Sequence, residues 1–146
     1  MSRYAHVTYC DDIRQEVGGK LTLVGVYAGQ VLVPEIPCNL AKFCMALHIS
    51  ATRAEPLKSI VVTGVYAGRE VLRMELGEAQ IEHIMAPSIA AKPDGKRMMV
   101  VLIGVISPFE VSQPGRFSLS VTADGEELHA DGVDIMVAPP GTNFSM

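Results

Sequence analysis

The chain has 146 residues, of which 49% are hydrophobic and 19% are charged, and its net charge is −4. This length suits one domain with a complete core, and the composition is globular rather than disordered. The acidic balance provides no basic field for a polyphosphate, so we expect no nucleic-acid partner. The longest apolar run, residues 98–106, is far shorter than the ~20 residues of a membrane-spanning helix, so no membrane partner is expected.

Cysteine usage points to a reducing compartment. The three cysteines, Cys10, Cys38 and Cys44, cannot all be paired within one chain. The first residues, 1–6, lack the apolar segment of a secretory signal. An odd cysteine count without such a signal is typical of reduced thiols. We therefore expect a cytoplasmic protein whose cysteines are small buried side chains.

Short runs of β-forming residues, separated by turn residues, follow one another along the chain. The longer candidate strands are residues 4–10, 20–27, 43–49, 59–66, 69–76, 97–106 and 117–122. Ala67-Gly68 and Asp124-Gly125 predict tight hairpins, because both place a glycine second in a two-residue turn. Residues 97–106 are apolar in succession, which predicts a central strand covered on both faces.

The strand pattern favours one fold class. We predict an all-β, two-layer β-sandwich of about eight to nine mostly antiparallel strands, with a small β-barrel as the alternative. One stretch differs, because Ile81, Ile84 and Met85 have helical spacing and predict a short helix near residues 78–85. We expect a single domain over residues 1–146, with a loose C-terminal tail at 139–146.

The densest polar cluster contains Asp11, Asp12, Arg14 and Glu16. One interpretation is chemical, because adjacent carboxylates can hold Mg²⁺ or Ca²⁺. The other is structural: Asp12 and Gln15 have capping-box spacing for a short helical turn, and Arg14 can pair with either aspartate. The spacing matches no calcium-binding loop, so the structural interpretation is the better one.

The usual catalytic signatures are missing from the sequence. The four histidines, His6, His48, His83 and His129, lie far apart and show no metal-ligand spacing. No Gly-x-Ser-x-Gly elbow marks a serine nucleophile, and no local motif marks a cysteine nucleophile. We assign no catalytic residue, no cofactor-binding residue and no metal ligand, and we expect no cofactor.

The polar cluster is also part of a longer pattern. The motif C-D-D-x-R-x-E-x-G-x-K starts at Cys10, and Leu23-x-Gly25-x-Tyr27 follows it. This pattern resembles the opening of a family of small bacterial proteins known as a domain of unknown function, over about residues 4–50. The resemblance implies a bacterial or prophage origin and a compact β-rich fold. It implies no activity and no site residue.

Three functional hypotheses follow. The first is a non-enzymatic binding module whose partner is another protein or a second copy of itself, forming a homo-oligomer through an apolar face or a strand edge. The second is a phage-derived structural or assembly protein. The third is a metal-dependent enzyme that uses Asp11, Asp12 and Glu16. We favour the first, because catalytic motifs are missing and charged residues are few.

Overall fold

The computed structural model describes residues 3–144, and within them it has twelve strands and one helix. The strands are β1 Tyr4–Gln15, β2 Leu21–Val26, β3 Gln30–Val33, β4 Cys38–Leu40, β5 Phe43–Thr52, β6 Ile60–Tyr66, β7 Arg69–Leu76, β8 Arg97–Ile106, β9 Phe109–Val111, β10 Gly115–Ala123, β11 Glu126–Leu128 and β12 Val133–Val137. The helix is α1 Glu78–Ala91.

Two large sheets and one small sheet make up the fold. One large sheet has the order β2-β1-β5-β8, and the other has β3-β12-β10-β6-β7 with β11 paired to β10. Strands β4 and β9 form the small sheet. Every strand pair is antiparallel except β12 with β3. This confirms the predicted all-β sandwich, and none of these sheets closes into the alternative barrel.

Aromatic rings from both large sheets meet in the core. Phe43 of β5 and Phe117 of β10 are fully buried, with ring centroids 5.1 Å apart and planes at 73°. Tyr9 stacks on Phe43 at 5.7 Å, and Phe109 lies 5.2 Å from Phe43 on another side. Gly64 makes room for this cluster, since a Cβ there would lie 2.9 Å from Phe117 Cζ. The sheets are therefore held together at this cluster.

Both predicted hairpins are confirmed. Ala67 and Gly68 have φ angles of 51° and 77°, and Asp124 and Gly125 have 51° and 81°. Two successive positive φ angles give the turn whose twist matches that of the flanking strands. Asp124 also accepts a 2.8 Å hydrogen bond from the backbone N–H of Ser59, which ties this hairpin to the start of β6.

Helix α1 begins where the sequence predicts but continues past Met85 to Ala91. Ile81 and Met85 are buried against the sandwich, whereas Ile84 remains exposed. Pro87 lies inside the helix, where its missing N–H and its ring weaken the second half. The short predicted helix is therefore correct in place and too short in length.

The strand predicted at residues 97–106 is confirmed as β8, but its predicted central position, covered on both faces, is wrong. Strand β8 is an edge strand, and its burial alternates along its length. Met98 and Val100 face the core, while Met99 is 45% and Val101 is 37% exposed. An unbroken apolar run is typical of a strand covered on both faces, but only one face of β8 is covered here. The other face is largely apolar and partly exposed.

The short strands and the C-terminal residues can also be compared with the sequence-based prediction. The sequence did not predict β4 and β9, which have three residues each. Residues 139–144 form neither helix nor strand. The single-domain organisation and the loose tail at 139–146 stay predictions. Two residues of that tail, 145 and 146, lie outside the described residues. So do residues 1 and 2 of the N-terminal segment that lacks the pattern of a secretory signal.

Replacing Phe117 with alanine tests the aromatic cluster. We expect Phe117→Ala to lower the free energy of unfolding by about 3–5 kcal/mol, because it removes buried surface and leaves a cavity between the sheets. Urea denaturation measures this change. Ser118→Ala, on the opposite face of the same strand, is the matched control, and we expect its effect to stay within about 0.5 kcal/mol. Equal effects of the two changes would contradict the assigned role.

Candidate functional site

Strand β1 changes its pairing partner at Cys10. Residues up to Cys10 pair with β5, and residues from Cys10 to Gln15 pair with β2. We call residues 11–26 the arm. Near its tip, Gln15, Gly19 and Leu21 line a cleft of about 440 Å³ whose other lining residues are His48, Val101 and Ile103 of the four-stranded sheet. The arm therefore overhangs the side of the sheet that faces away from the core.

Asp11 fastens the two strands of the arm together. Its carboxylate accepts a hydrogen bond from the Tyr27 hydroxyl. Burial, and then this hydrogen bond, raise the pKa of Tyr27 above its usual value, so the phenol stays protonated. Asp11 also packs directly on Gly25, whose φ is +68° and where a Cβ would overlap the carboxylate. The motif's aspartate, glycine and tyrosine thus form one structural contact.

Asp12 makes a different set of contacts. Its Oδ1 accepts hydrogen bonds from Lys42 Nζ and from the backbone N–H of Ile13, each at 3.0 Å. The hydrogen bond from Lys42 is the main cause that holds the pKa of this exposed carboxyl below its usual range. Asp12 therefore joins the arm to the start of β5, where Lys42 lies.

Glu16 and Arg14 do not join these aspartates. Glu16 Oε2 accepts a 2.8 Å hydrogen bond from the Thr22 hydroxyl across the arm. Arg14 is exposed, and its charge is only a minor cause of the lowered pKa of Asp12. It forms no ion pair within 4 Å with a described residue, so the predicted direct pairing with Asp11 or Asp12 is wrong. The basic partner of Asp12 comes from Lys42, which is distant in sequence.

The helical turn predicted for the start of the arm is also wrong. Residues 4–15 form one continuous strand, and Asp12 and Gln15 pair with Val24 and Leu21 of β2. The ladder with β2 satisfies the backbone groups that a capped turn would otherwise use. Asp12 thus bonds the N–H of the next residue in a strand rather than capping a helix.

The three carboxylates of the cluster therefore have separate partners and do not converge. Within residues 3–144, no group of three or more His, Cys, Asp or Glu side chains is placed to hold a metal ion. The observed contacts favour the structural interpretation, in which the motif shapes the arm. Whether the cluster also serves a partner stays a prediction.

Two of the three cysteines lie under the arm. Cys10 and Cys44 are opposite each other on β1 and β5, and both are buried. Their thiols donate to the backbone carbonyls of Asp12 at 3.4 Å and of Asp11 at 3.6 Å. Burial raises the pKa of the Cys10 thiol to about 11, so it is protonated and unreactive at neutral pH. They serve as packing groups beneath the arm.

Beyond the arm, the side of the four-stranded sheet that faces away from the core is open. We call it the outer face and define it by the register of the three strands. Its residues are Tyr4, His6 and Thr8 of β1, Ala46, His48 and Ser50 of β5, and Met99, Val101, Ile103 and Val105 of β8. Its alternate neighbours, such as Val7, Leu47 and Leu102, belong to the core.

Two histidines lie next to each other on the outer face. His6 and His48 are opposite residues of β1 and β5, and Val101 of β8 completes their row. Their ring centroids are 6.1 Å apart, with planes at 61°. Nδ1 of His48 is buried and has no hydrogen-bond partner among the described residues. The sequence separates these residues, and only the β1–β5 register brings them together.

The sequence did not single out this face as a site. The apolar run predicts a buried central strand for its β8 residues, and the sequence offers its histidines only as candidate metal ligands. A usable signal did exist, since Tyr4, His6 and Thr8 alternate with core residues on β1 and so mark an outward side. Nothing in the sequence, however, indicates that β8 lies at a sheet edge.

Comparison with known proteins gives one match. The family described as "Family of unknown function (DUF6941)" matches residues 5–135. The chain belongs to this family. No curated protein and no solved structure matches the chain. The predicted likeness to a domain of unknown function is thus confirmed, while the signature role of the opening motif and a bacterial or prophage origin stay predictions.

One further property concerns membranes. None of the helical segments in residues 3–144 has the length and apolar character needed to cross a bilayer.

A glycine substitution tests how the arm is built. We expect Gly25→Ala to lower the free energy of unfolding by about 2–4 kcal/mol, since it strains a left-handed backbone and displaces the Asp11 carboxylate. Gly29→Ala is the matched control, because Gly29 has a φ of +88° and nothing within 4 Å of a new Cβ. It should lose only about 1–2 kcal/mol. Denaturant unfolding compares the two, and a smaller loss for Gly25→Ala would contradict the Asp11 contact.

Proposed function

We propose that this protein is a non-enzymatic binding module that associates with a second copy of itself through the outer face. The observation that carries the proposal is the distribution of exposed apolar side chains. Eleven large hydrophobic residues are exposed among the described residues, and seven of them belong to the four-stranded sheet or its arm. These seven are Tyr4, Val17, Val24, Val26, Met99, Val101 and Val105.

Such a concentration is unusual for a surface that faces water. Single exposed apolar residues are common, whereas a contiguous apolar patch marks an interaction site. On β8, Met99, Val101 and Val105 share one side, and they are 45%, 37% and 47% exposed. Val17, in the turn at the arm tip, is 95% exposed, although it is not a residue of the outer face itself. A covering partner removes this surface from water and gains the corresponding hydrophobic free energy.

The charge distribution favours a second copy as that partner. Apart from the histidines, the one charged side chain on the outward side of residues 4–10, β5 and β8 is Arg97. It covers the Tyr4 ring at 5.4 Å and donates to Ser50 Oγ at 2.9 Å. A two-fold interface places a patch against itself, so a charged patch would meet its own charge. An almost neutral patch avoids this repulsion, although the chain as a whole carries −4.

Strand β8 supports the same proposal through its edge. Natural edge strands are protected by prolines, inward charges or bulges. From Met98 to Ile106, β8 contains no proline and no charged residue, and its pairing with β5 is regular. Helix α1 packs against β8, but the strand's own sequence provides none of these protections. Such an edge beside an apolar face is consistent with burial in an assembly. A phage-derived assembly protein would use such a surface, and viral structural genes beside its own gene would support that alternative.

The polar groups support binding rather than catalysis. In the arm, Asp11, Asp12 and Glu16 are each engaged by a different partner, so none is poised as a shared base or metal ligand. The three cysteines are free, which supports a reducing, cytoplasmic setting for the module.

A charge placed on the outer face tests the proposal. We expect Met99→Glu to raise the dissociation constant of the homodimer at least tenfold, because each copy would bury an unpaired carboxylate. Sedimentation velocity over a concentration series measures association. Ile84→Glu, an equally exposed position on α1, is the matched control and should associate like the wild type. A wild type that is monomeric at every concentration would overturn the proposal, as would equal association of both variants.

A further inference from the structure

We propose that protonation of His6 and His48 releases this self-association, so that the outer face is a pH-sensitive interface. The inference rests on the proposed function and adds its regulation. Both residues belong to the outer face, and their rings are adjacent, with centroids 6.1 Å apart. A partner that covers the face therefore covers both imidazoles together.

The neighbourhood of the pair contains little that can stabilise a positive charge. In the adjacent rows lie Tyr4, Ser50 and Met99 on one side and Thr8, Ala46 and Ile103 on the other. None of these is acidic.

The charged residues near the pair come from two elements. Strand β8 contributes Arg97, which is itself positive. The overhanging arm contributes Glu16 and Lys20, which flank the cleft-lining residues Gln15, Gly19 and Leu21. Glu16 is already bonded to Thr22, so this acid is engaged elsewhere. A charged pair on this face would therefore lack a dedicated counter-ion.

Hydrogen bonding adds a second cost for the charged form. A protonated imidazole carries an N–H on both ring nitrogens, and each needs an acceptor. Nδ1 of His48 is buried with no partner among the described residues even in a single copy, so it disfavours the charged form in both states. The cost specific to association comes from the exposed His6 ring and the half-buried His48 ring, because covering the face removes the water that an imidazolium would otherwise use. The cost is doubled in a two-fold interface, since each copy brings its own pair.

The sign of the pH effect follows from these costs. The associated state prefers neutral imidazoles, so it binds fewer protons than two separate copies do. Association is therefore strongest where imidazole is neutral, and it weakens as the pH falls and imidazole becomes charged. Where binding needs one neutral imidazole, each pH unit below the pKa of that imidazole weakens binding about tenfold, because the neutral fraction falls by that factor. Two or more such groups multiply this factor.

The chain supplies its own controls, because its other two histidines are remote from the outer face. His83 lies on α1, and His129 follows β11 and pairs with Asp131 at 3.0 Å. The experiment measures the dimer dissociation constant by sedimentation velocity at pH 7.5 and pH 5.5. The proteins are the wild type, His6→Gln/His48→Gln and His83→Gln/His129→Gln. Circular dichroism at both pH values identifies any unfolding.

We expect the dissociation constant to rise at least tenfold at pH 5.5 in the wild type and in His83→Gln/His129→Gln. We expect less than a threefold change in His6→Gln/His48→Gln. A dimer of unchanged affinity at both pH values overturns this inference and leaves the proposed function in place. The same loss in His6→Gln/His48→Gln also overturns it, because other groups would then be responsible. A wild type that is monomeric at pH 7.5 overturns both proposals.

Discussion

Packing of the two large sheets around Phe43 and Phe117 is the constraint on which the rest of the structure depends. The two rings lie 5.1 Å apart at the centre of the core, and both are fully shielded from water. A sandwich core is filled by alternate residues of each strand, so every strand of this core also presents an outward side. Whether the side chains on those outward sides are polar or apolar then decides which surfaces can bind a partner.

The outward side of the four-stranded sheet is covered by the arm in one part and exposed in another. At one end the arm overhangs it, and Cys10 and Cys44 are buried beneath hydrogen bonds to the backbone of Asp11 and Asp12. The opening motif maintains this cover through the contact of Asp11 with Gly25 and Tyr27. The arm tip reaches His48 and Val101 without closing over them, and Met99 and Val101 remain partly exposed beside two adjacent histidines. The protein thus covers part of an apolar face itself and leaves the rest for a partner.

Much of the fold could be predicted, because strand period and turn chemistry are local properties. Asp124-Gly125 predicts its hairpin from two residues alone, and the run from Arg97 to Ile106 matches β8 at both ends. The edge position of β8 could not be predicted, since it depends on sheet order. The pairings of Asp12 with Lys42 and of His6 with His48 are also non-local, because the β1–β5 register creates them. The residues that come together in the candidate site could therefore hardly be predicted from the sequence.

The most direct test of the central claim asks where the second copy lies. Hydrogen–deuterium exchange at low and high protein concentration at pH 7.5 reports this without any substitution, since association protects amides that it covers. The account predicts that peptides spanning residues 97–106 exchange more slowly at high concentration. Peptides spanning residues 60–76, in the other sheet, should exchange equally at both. Concentration-independent exchange at 97–106, or protection confined to 60–76, would contradict the account.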